Sequence, residues 1–140
     1  DAARRRPRND QRVSGADRME VEEGHHLVVL PEATPGSEPS WFGYPLMVRA
    51  GAPFARDDLV KHLNERRIGT RLLFGGNLVR QPYMRERVYR VAGELSNADM
   101  VTERTFWIGL YPGLSADHLG YAAGEIAAFV RSGGKVSNAA

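Results

Sequence analysis

With 140 residues, 42% of them hydrophobic, the chain has apolar material for one compact domain and too little length for two large ones. It holds no cysteine, which excludes disulfides, thiolate nucleophiles and cysteine-held clusters within these residues; no apolar run approaches the roughly 18 residues of a membrane span, and the arginine-rich start lacks an apolar h-region, so a soluble, unexported, cytoplasmic protein is expected. The formal charge of +2 is unevenly placed, with Arg4, Arg5, Arg6, Arg8 and Arg12 at one end, but no aromatic residue interleaves with them to stack on bases, and neither nucleic acid nor a membrane is an expected partner.

Along the chain, residues 1–25 are basic and polar and are broken by Pro7, Gly15 and Gly24, which predicts a poorly ordered or linker-helix segment. The first residue is Asp1 rather than Met, and a longer protein is expected around this sequence. A compact unit over 26–131 and a flexible tail over 132–140 are expected to follow. The run from His26 starts as a short β-like segment and becomes a loop at Pro31, Pro35, Gly36 and Pro39. "WFGYPLMV", from Trp41, reads as a strand, and Pro45, which has no N–H to give a ladder, predicts that it lies at an edge or carries a bulge.

Arg56 to Gly69 reads as a helix. Asp57 and Asp58 stand in its first turn and Arg66 and Arg67 in its last, complementing the helix dipole, and Gly69 is expected to supply the left-handed stop. Leu59, Val60 and Leu63 form the stripe that packs on a sheet. Thr70 to Phe74 and Thr105 to Tyr111 read as further strands, with Phe106, Ile108 and Leu110 alternating against Thr105, Trp107 and Gly109. Ser115 is a candidate N-cap for a last helix, Leu114 and Leu119 have the spacing of a hydrophobic staple, and Leu119, Ala122, Ala123, Ile126 and Val130 form its buried stripe, ended by "SGG" at 132–134. The expected fold is α/β, a small sheet with helices covering one face.

Little in the remaining chemistry-bearing residues amounts to a site. His25 and His26 have no second pair at ligand spacing, so no metal is expected. Asp57 and Asp58 are neighbours that do not face each other on a helix. Glu94, Asn97, Asp99 and Glu103 read as a polar surface loop, and His118 as exposed. "GGNLVRQ", Gly75 to Gln81, lacks the spacing and the lysine of a phosphate loop, yet its glycines let the backbone pass close to a ligand or another domain. Arg71 and Arg80 have the planar fork that suits a carboxylate or phosphate, and structural ion pairs would use them equally well.

"PEATPGSEPSWFGYPL", "IGTRLLFGGNLVRQPY", "YRVAGELSNAD" and "TFWIGLYPGLS", in this order, resemble the C-terminal part of the CDP-4-keto-6-deoxy-D-glucose 3-dehydrase family. That family is a branch of the DegT/DnrJ/StrS sugar aminotransferases. The resemblance covers about residues 27–131, and "GNLVRQP" stands where ordinary sugar aminotransferases carry a "PLH" type of sequence. It implies the small domain of a fold type I, aspartate aminotransferase-like, pyridoxal-phosphate enzyme, working in deoxysugar and lipopolysaccharide O-antigen synthesis. The implied reaction removes the C3 hydroxyl of a 4-keto nucleotide sugar with pyridoxamine phosphate (PMP) as cofactor, and a partner reductase completes the deoxygenation. The family uses a histidine where its aminotransferase cousins keep the Schiff-base lysine, and it resembles proteins that hold an iron–sulfur cluster.

The cofactor cradle, that histidine and any cluster would belong to a large domain with no counterpart here. Lys61 and Lys135 are the only lysines, and neither suits a buried Schiff base. No catalytic residue is therefore assigned, and the chain by itself is not expected to turn over. Arg71, Asn77, Arg80 and Gln81 are expected to orient the nucleotide sugar or the cofactor-bearing domain, with Trp107 and Tyr111 packing behind them. The implied partners are the nucleotide-sugar substrate, the large domain, a reductase and, at full length, a second subunit. A sugar aminotransferase fragment and a free-standing, non-catalytic interaction module are the alternatives.

Overall fold

The computed structural model describes residues 26–135; expectations for residues 1–25 and 136–140 lie outside them. The order is β1 (Val28–Val29), β2 (Gly43–Val48), α1 (Arg56–Glu65), β3 (Thr70–Leu72), two short 3-10 turns (Leu78–Arg80 and Pro82–Met84), α2 (Ser96–Arg104), β4 (Thr105–Gly109) and α3 (Ala116–Arg131). The four strands form one antiparallel sheet in the order β1-β2-β4-β3. Among the described residues no helix is long and apolar enough to cross a membrane.

Strand alternation separates two faces. Leu46 pairs with Phe106, and both are buried on the face that meets α1 and α3. Leu59 and Leu63 of α1 and Ile126, Phe129 and Val130 of α3 join them, together with Val28, Val48 and Phe54. Phe129, which the expected stripe omitted, lies edge-on to Phe54 with centroids 5.0 Å apart. The opposite face carries a transverse row: Pro45 pairs with Trp107, and Trp107 with Arg71.

Pro45 is not on an edge strand, since β2 lies between β1 and β4. It is tolerated because β1 pairs only with Met47 and Val48, so at Pro45 β2 has a strand on one side only.

Helix ends follow their local chemistry. Asp58 Oδ2 accepts the Ala55 N–H at 2.8 Å, which closes the start of α1. Its stop is not Gly69 but Arg67, at φ 62°: the Arg67 N–H reaches the Asn64 carbonyl at 3.0 Å and the Ile68 N–H the Leu63 carbonyl at 2.8 Å, the two bonds of a Schellman end. Ser115 caps α3, its Oγ accepting the His118 N–H at 3.3 Å while His118 Nδ1 accepts the Ser115 N–H at 3.1 Å. Gly133 and Gly134 repeat the Schellman pattern at the other end, and Gly134 sits close against Phe54.

The largest difference from the sequence expectation is α2. Ser96–Arg104, read as a polar loop, is a helix that runs directly into β4. Arg56, the first residue of α1, fastens that junction, donating from Nη1 to the carbonyls of Thr102 (3.2 Å) and Thr105 (3.1 Å). The preceding stretch 85–94 is exposed throughout and forms neither helix nor strand.

Candidate functional site

The loop after β3 begins with two tight turns, which end the strand at Leu72 rather than Phe74. The Phe74 N–H bonds the Leu72 carbonyl at 2.8 Å and the Gly76 N–H the Leu73 carbonyl at 3.2 Å. Phe74 has φ 50°, an uncommon conformation for a bulky residue, and Gly76 has φ 57°. A Cβ at Gly76 would meet Thr102 of α2, so glycine permits the loop's close approach to the helix.

α2 then grips the loop through two side chains one turn apart. Thr102 Oγ1 accepts the Asn77 N–H at 2.6 Å, and Asp99 Oδ1 accepts from Asn77 Nδ2 at 2.7 Å. Asn77 is buried, and its own Oδ1 accepts the Val79 N–H at 3.2 Å, capping the first 3-10 turn. Arg80 lays its guanidinium fork on Asp99, with Nε to Oδ1 and Nη2 to Oδ2 both at 2.6 Å. The hydrogen bond from Arg80, and then that from Asn77, hold the Asp99 carboxyl below its ordinary value, and the hydrogen bond to Asp99 and its charge raise Arg80. Gln81 Nε2 donates to the Gly75 carbonyl at 2.7 Å and closes the loop on itself. Asn77, Val79, Arg80, Leu95 and Asp99 line an open depression of about 430 Å³.

Of the six residues expected at a site, Asn77, Arg80 and Gln81 are thus brought together on one loop, with their donors engaged within the fold. Arg71 and Trp107 share the other sheet face. Arg71 is exposed, and no described residue offers its guanidinium a hydrogen bond or ion pair. The Trp107 ring lies against Phe42 at 4.7 Å and Phe74 at 5.5 Å between centroids, and its Nε1 is buried without a partner among the described residues. Tyr111 lies beyond the end of β4, 58% exposed, its ring against Gly113.

Sequence reasoning passed over Asp99 and Thr102, whose signal was their spacing of three on a helix not recognised as one. It also passed over Phe42 and Phe74, which are 75% and 78% exposed. His62 was missed as well: it is buried in α1, its Nε2 3.1 Å from Glu125 Oε2 of α3 and its ring 5.0 Å from Phe129. Glu125 also lies 3.7 Å from Arg66 Nε, so this group ties two helices on the core side of the sheet.

Among the described residues no cluster of histidine, cysteine and carboxylate side chains could hold a metal. Lys61 is exposed and lies 4.0 Å from Glu65, and Lys135 is exposed beyond α3; neither offers the buried amine that an aldehyde cofactor requires.

Comparison with known proteins agrees with the resemblance. The lipopolysaccharide biosynthesis protein RfbH of Salmonella typhimurium is 53% identical over 100 residues, covering 71% of this chain and 23% of that protein. A dTDP-4-dehydro-2,6-dideoxy-D-glucose 3-dehydratase of Saccharopolyspora spinosa is 50% identical over 103 residues, covering 74% of this chain and 22% of that enzyme. The chain thus spans just under a quarter of the length of these relatives. In fold, the structure matches the E. coli GDP-4-keto-6-deoxy-D-mannose-3-dehydratase with bound hydrated PLP, with TM-score 0.63, 20% identity, and coverage of 79% of this chain and 30% of that one. The small antiparallel sheet with its helices therefore shares the fold of a part of that enzyme. The profile of the DegT/DnrJ/EryC1/StrS aminotransferase family matches residues 12–127, and the chain belongs to that family.

Proposed function

We propose that this chain is the small domain of a PMP/PLP-dependent nucleotide-sugar 3-dehydratase that removes the C3 hydroxyl of a 4-keto-6-deoxy nucleotide sugar, in the supply of deoxysugars for lipopolysaccharide or a similar glycoconjugate. The observation that carries this reading is 50% identity over 103 residues, 74% of the chain, to a protein named for 3-dehydration. In this reading the cofactor, which when bound makes a proton on its own C4′ carbon labile so that the sugar's C3 hydroxyl can leave, would be held by the part of the enzyme outside this sequence. The described residues do not fit the cofactor, and no step is assigned to them beyond binding and orienting. An iron–sulfur cluster, where such an enzyme uses one, takes its ligands from elsewhere, because this chain has no cysteine. A reductase partner, a homodimeric full-length enzyme and a cytoplasmic location belong to the same reading.

Within it the six residues divide their work. Arg71, with Trp107 opposite it in the register, and Tyr111, beyond the end of β4, face the substrate or the large domain. Asn77, Arg80 and Gln81 give the loop one fixed shape through Asp99, Thr102 and the Gly75 carbonyl. The test is a chimera in which residues 26–131 replace the corresponding segment of the Saccharopolyspora enzyme. It should convert dTDP-4-dehydro-2,6-dideoxy-D-glucose with loss of the C3 hydroxyl, and a folded, cofactor-loaded chimera that fails to do so would refute the assignment. In that chimera Arg80→Ala should raise KM or lower kcat by about tenfold; unchanged kinetics would remove Arg80 from the site.

A further inference from the structure

Three observations converge on the sheet face opposite the helices. Phe42 and Phe74 leave 75% and 78% of their surface open on either side of the half-buried Trp107, although burial of such rings is strongly favoured. Phe74 is held at φ 50°, directly before the anchored Gly75–Gln81 loop, so an unfavourable backbone conformation is retained at the residue that presents one ring. Arg71 stands opposite Trp107 in the strand register, carrying a charge that no described residue neutralises. The strand residues of this face on the three longer strands are Gly43, Pro45 and Met47, Thr105, Trp107 and Gly109, and Arg71, and none of them is acidic.

A purely apolar partner would bury Arg71 unpaired, which is strongly unfavourable. A flat aromatic group that carries its own anion fits both the rings and the guanidinium. We propose that Phe42, Trp107, Phe74 and Arg71 form the seat for the nucleoside diphosphate part of the substrate, the base stacking on the exposed phenyl rings and a phosphate oxygen accepting from Arg71. This rests on the nucleotide-sugar reading above and deepens it. Stacking tolerates any base, so the seat supplies affinity while leaving the choice among nucleotides to other contacts.

The test uses the chimera loaded with cofactor, with dTDP and inorganic pyrophosphate as probes, binding measured by calorimetry and kinetics followed separately. Phe42→Ser, Phe74→Gly and Arg71→Gln all change exposed side chains, and Phe74→Gly also relieves the left-handed φ. Either phenylalanine substitution should weaken dTDP binding about tenfold and leave pyrophosphate unchanged. Arg71→Gln should weaken both probes about tenfold, and in all three variants the loss should appear as a KM for the nucleotide sugar raised by about the same factor. Unchanged dTDP affinity in the three variants overturns the proposal. So does a loss of subunit association by sedimentation at unchanged dTDP affinity, which would make the face a protein interface. A chimera that binds dTDP through these residues but does not dehydrate the sugar supports the seat while refuting the proposed reaction.

Discussion

Replacing Gly43 by alanine should dislodge Trp107. A Cβ at this buried position would lie 2.5 Å from Trp107 Cζ3 and 3.0 Å from Cδ2, closer than the ring can accept without shifting. The backbone cannot retreat, because Gly43 is locked in register with Gly109 and its neighbours Tyr44 and Pro45 with Ile108 and Trp107. The ring must therefore swing outward past Phe42 and Phe74. Overpacking of this kind costs about 2 kcal/mol, which for a domain of this size lowers Tm by roughly 8 °C. In a Trp41→Phe background, which leaves Trp107 as the sole indole, the same change should shift the emission to longer wavelength as the buried Nε1–H reaches water. Thermal unfolding by circular dichroism gives the first number and steady-state fluorescence the second. Gly109→Ala is the control: it is the partner of Gly43 in the register, yet nothing lies within 4 Å of its added Cβ. If Gly43→Ala changed neither Tm nor emission more than Gly109→Ala, Trp107 would not be packed across β2 and the aromatic face would need a different description.

Gly124 lies inside α3 with open space around it, so Gly124→Ala should raise stability by about 0.5–1 kcal/mol in a denaturant titration. The Asp99–Arg80 pair gives a pH signature: because the folded state holds Asp99 below its ordinary value of 3.8, the stabilisation is complete above that value and is lost as pH falls through the depressed one. Acid-unfolding curves of the native chain and Asp99→Asn should therefore differ most above pH 4 and converge at the acid end; a difference that grew on acidification would contradict the pairing.

The apolar pattern made most of the frame legible. Alternation in Thr105–Gly109 separated Phe106 from Trp107, and the order of acid, apolar stripe and base marked α1. What remained hidden was held by polar contacts between distant residues. α2 offers no apolar stripe because it is fixed through Asp99, Thr102 and the carbonyls that Arg56 reaches, so hydrophobic periodicity had little to register. Gly69 was the better candidate for a left-handed residue by intrinsic preference, yet the helix closes two residues earlier, where Arg67 takes that conformation and two carbonyls are satisfied. For the candidate site, residue types pointed to the loop that the fold builds around Asn77, Arg80 and Gln81. They could not show that Asp99 already occupies Arg80 while Arg71 has no partner among the described residues, because that depends on which helix lies beside which turn.

The unbroken passage from α2 into β4 makes the segment intolerant of any change in length. One residue inserted or deleted between Arg104 and Thr105 would rotate everything on the helix by about 100° relative to the sheet, or else turn Trp107 to the helix side and Phe106 to the open face. Either way the grip of Asp99 and Thr102 on the loop would be lost together with the aromatic row. The connection from Pro31 to Ser40, exposed from Glu32 onward, has no such phase to keep. Natural variants and engineered fusions should therefore accumulate insertions there, while the helix–strand joint admits substitutions alone.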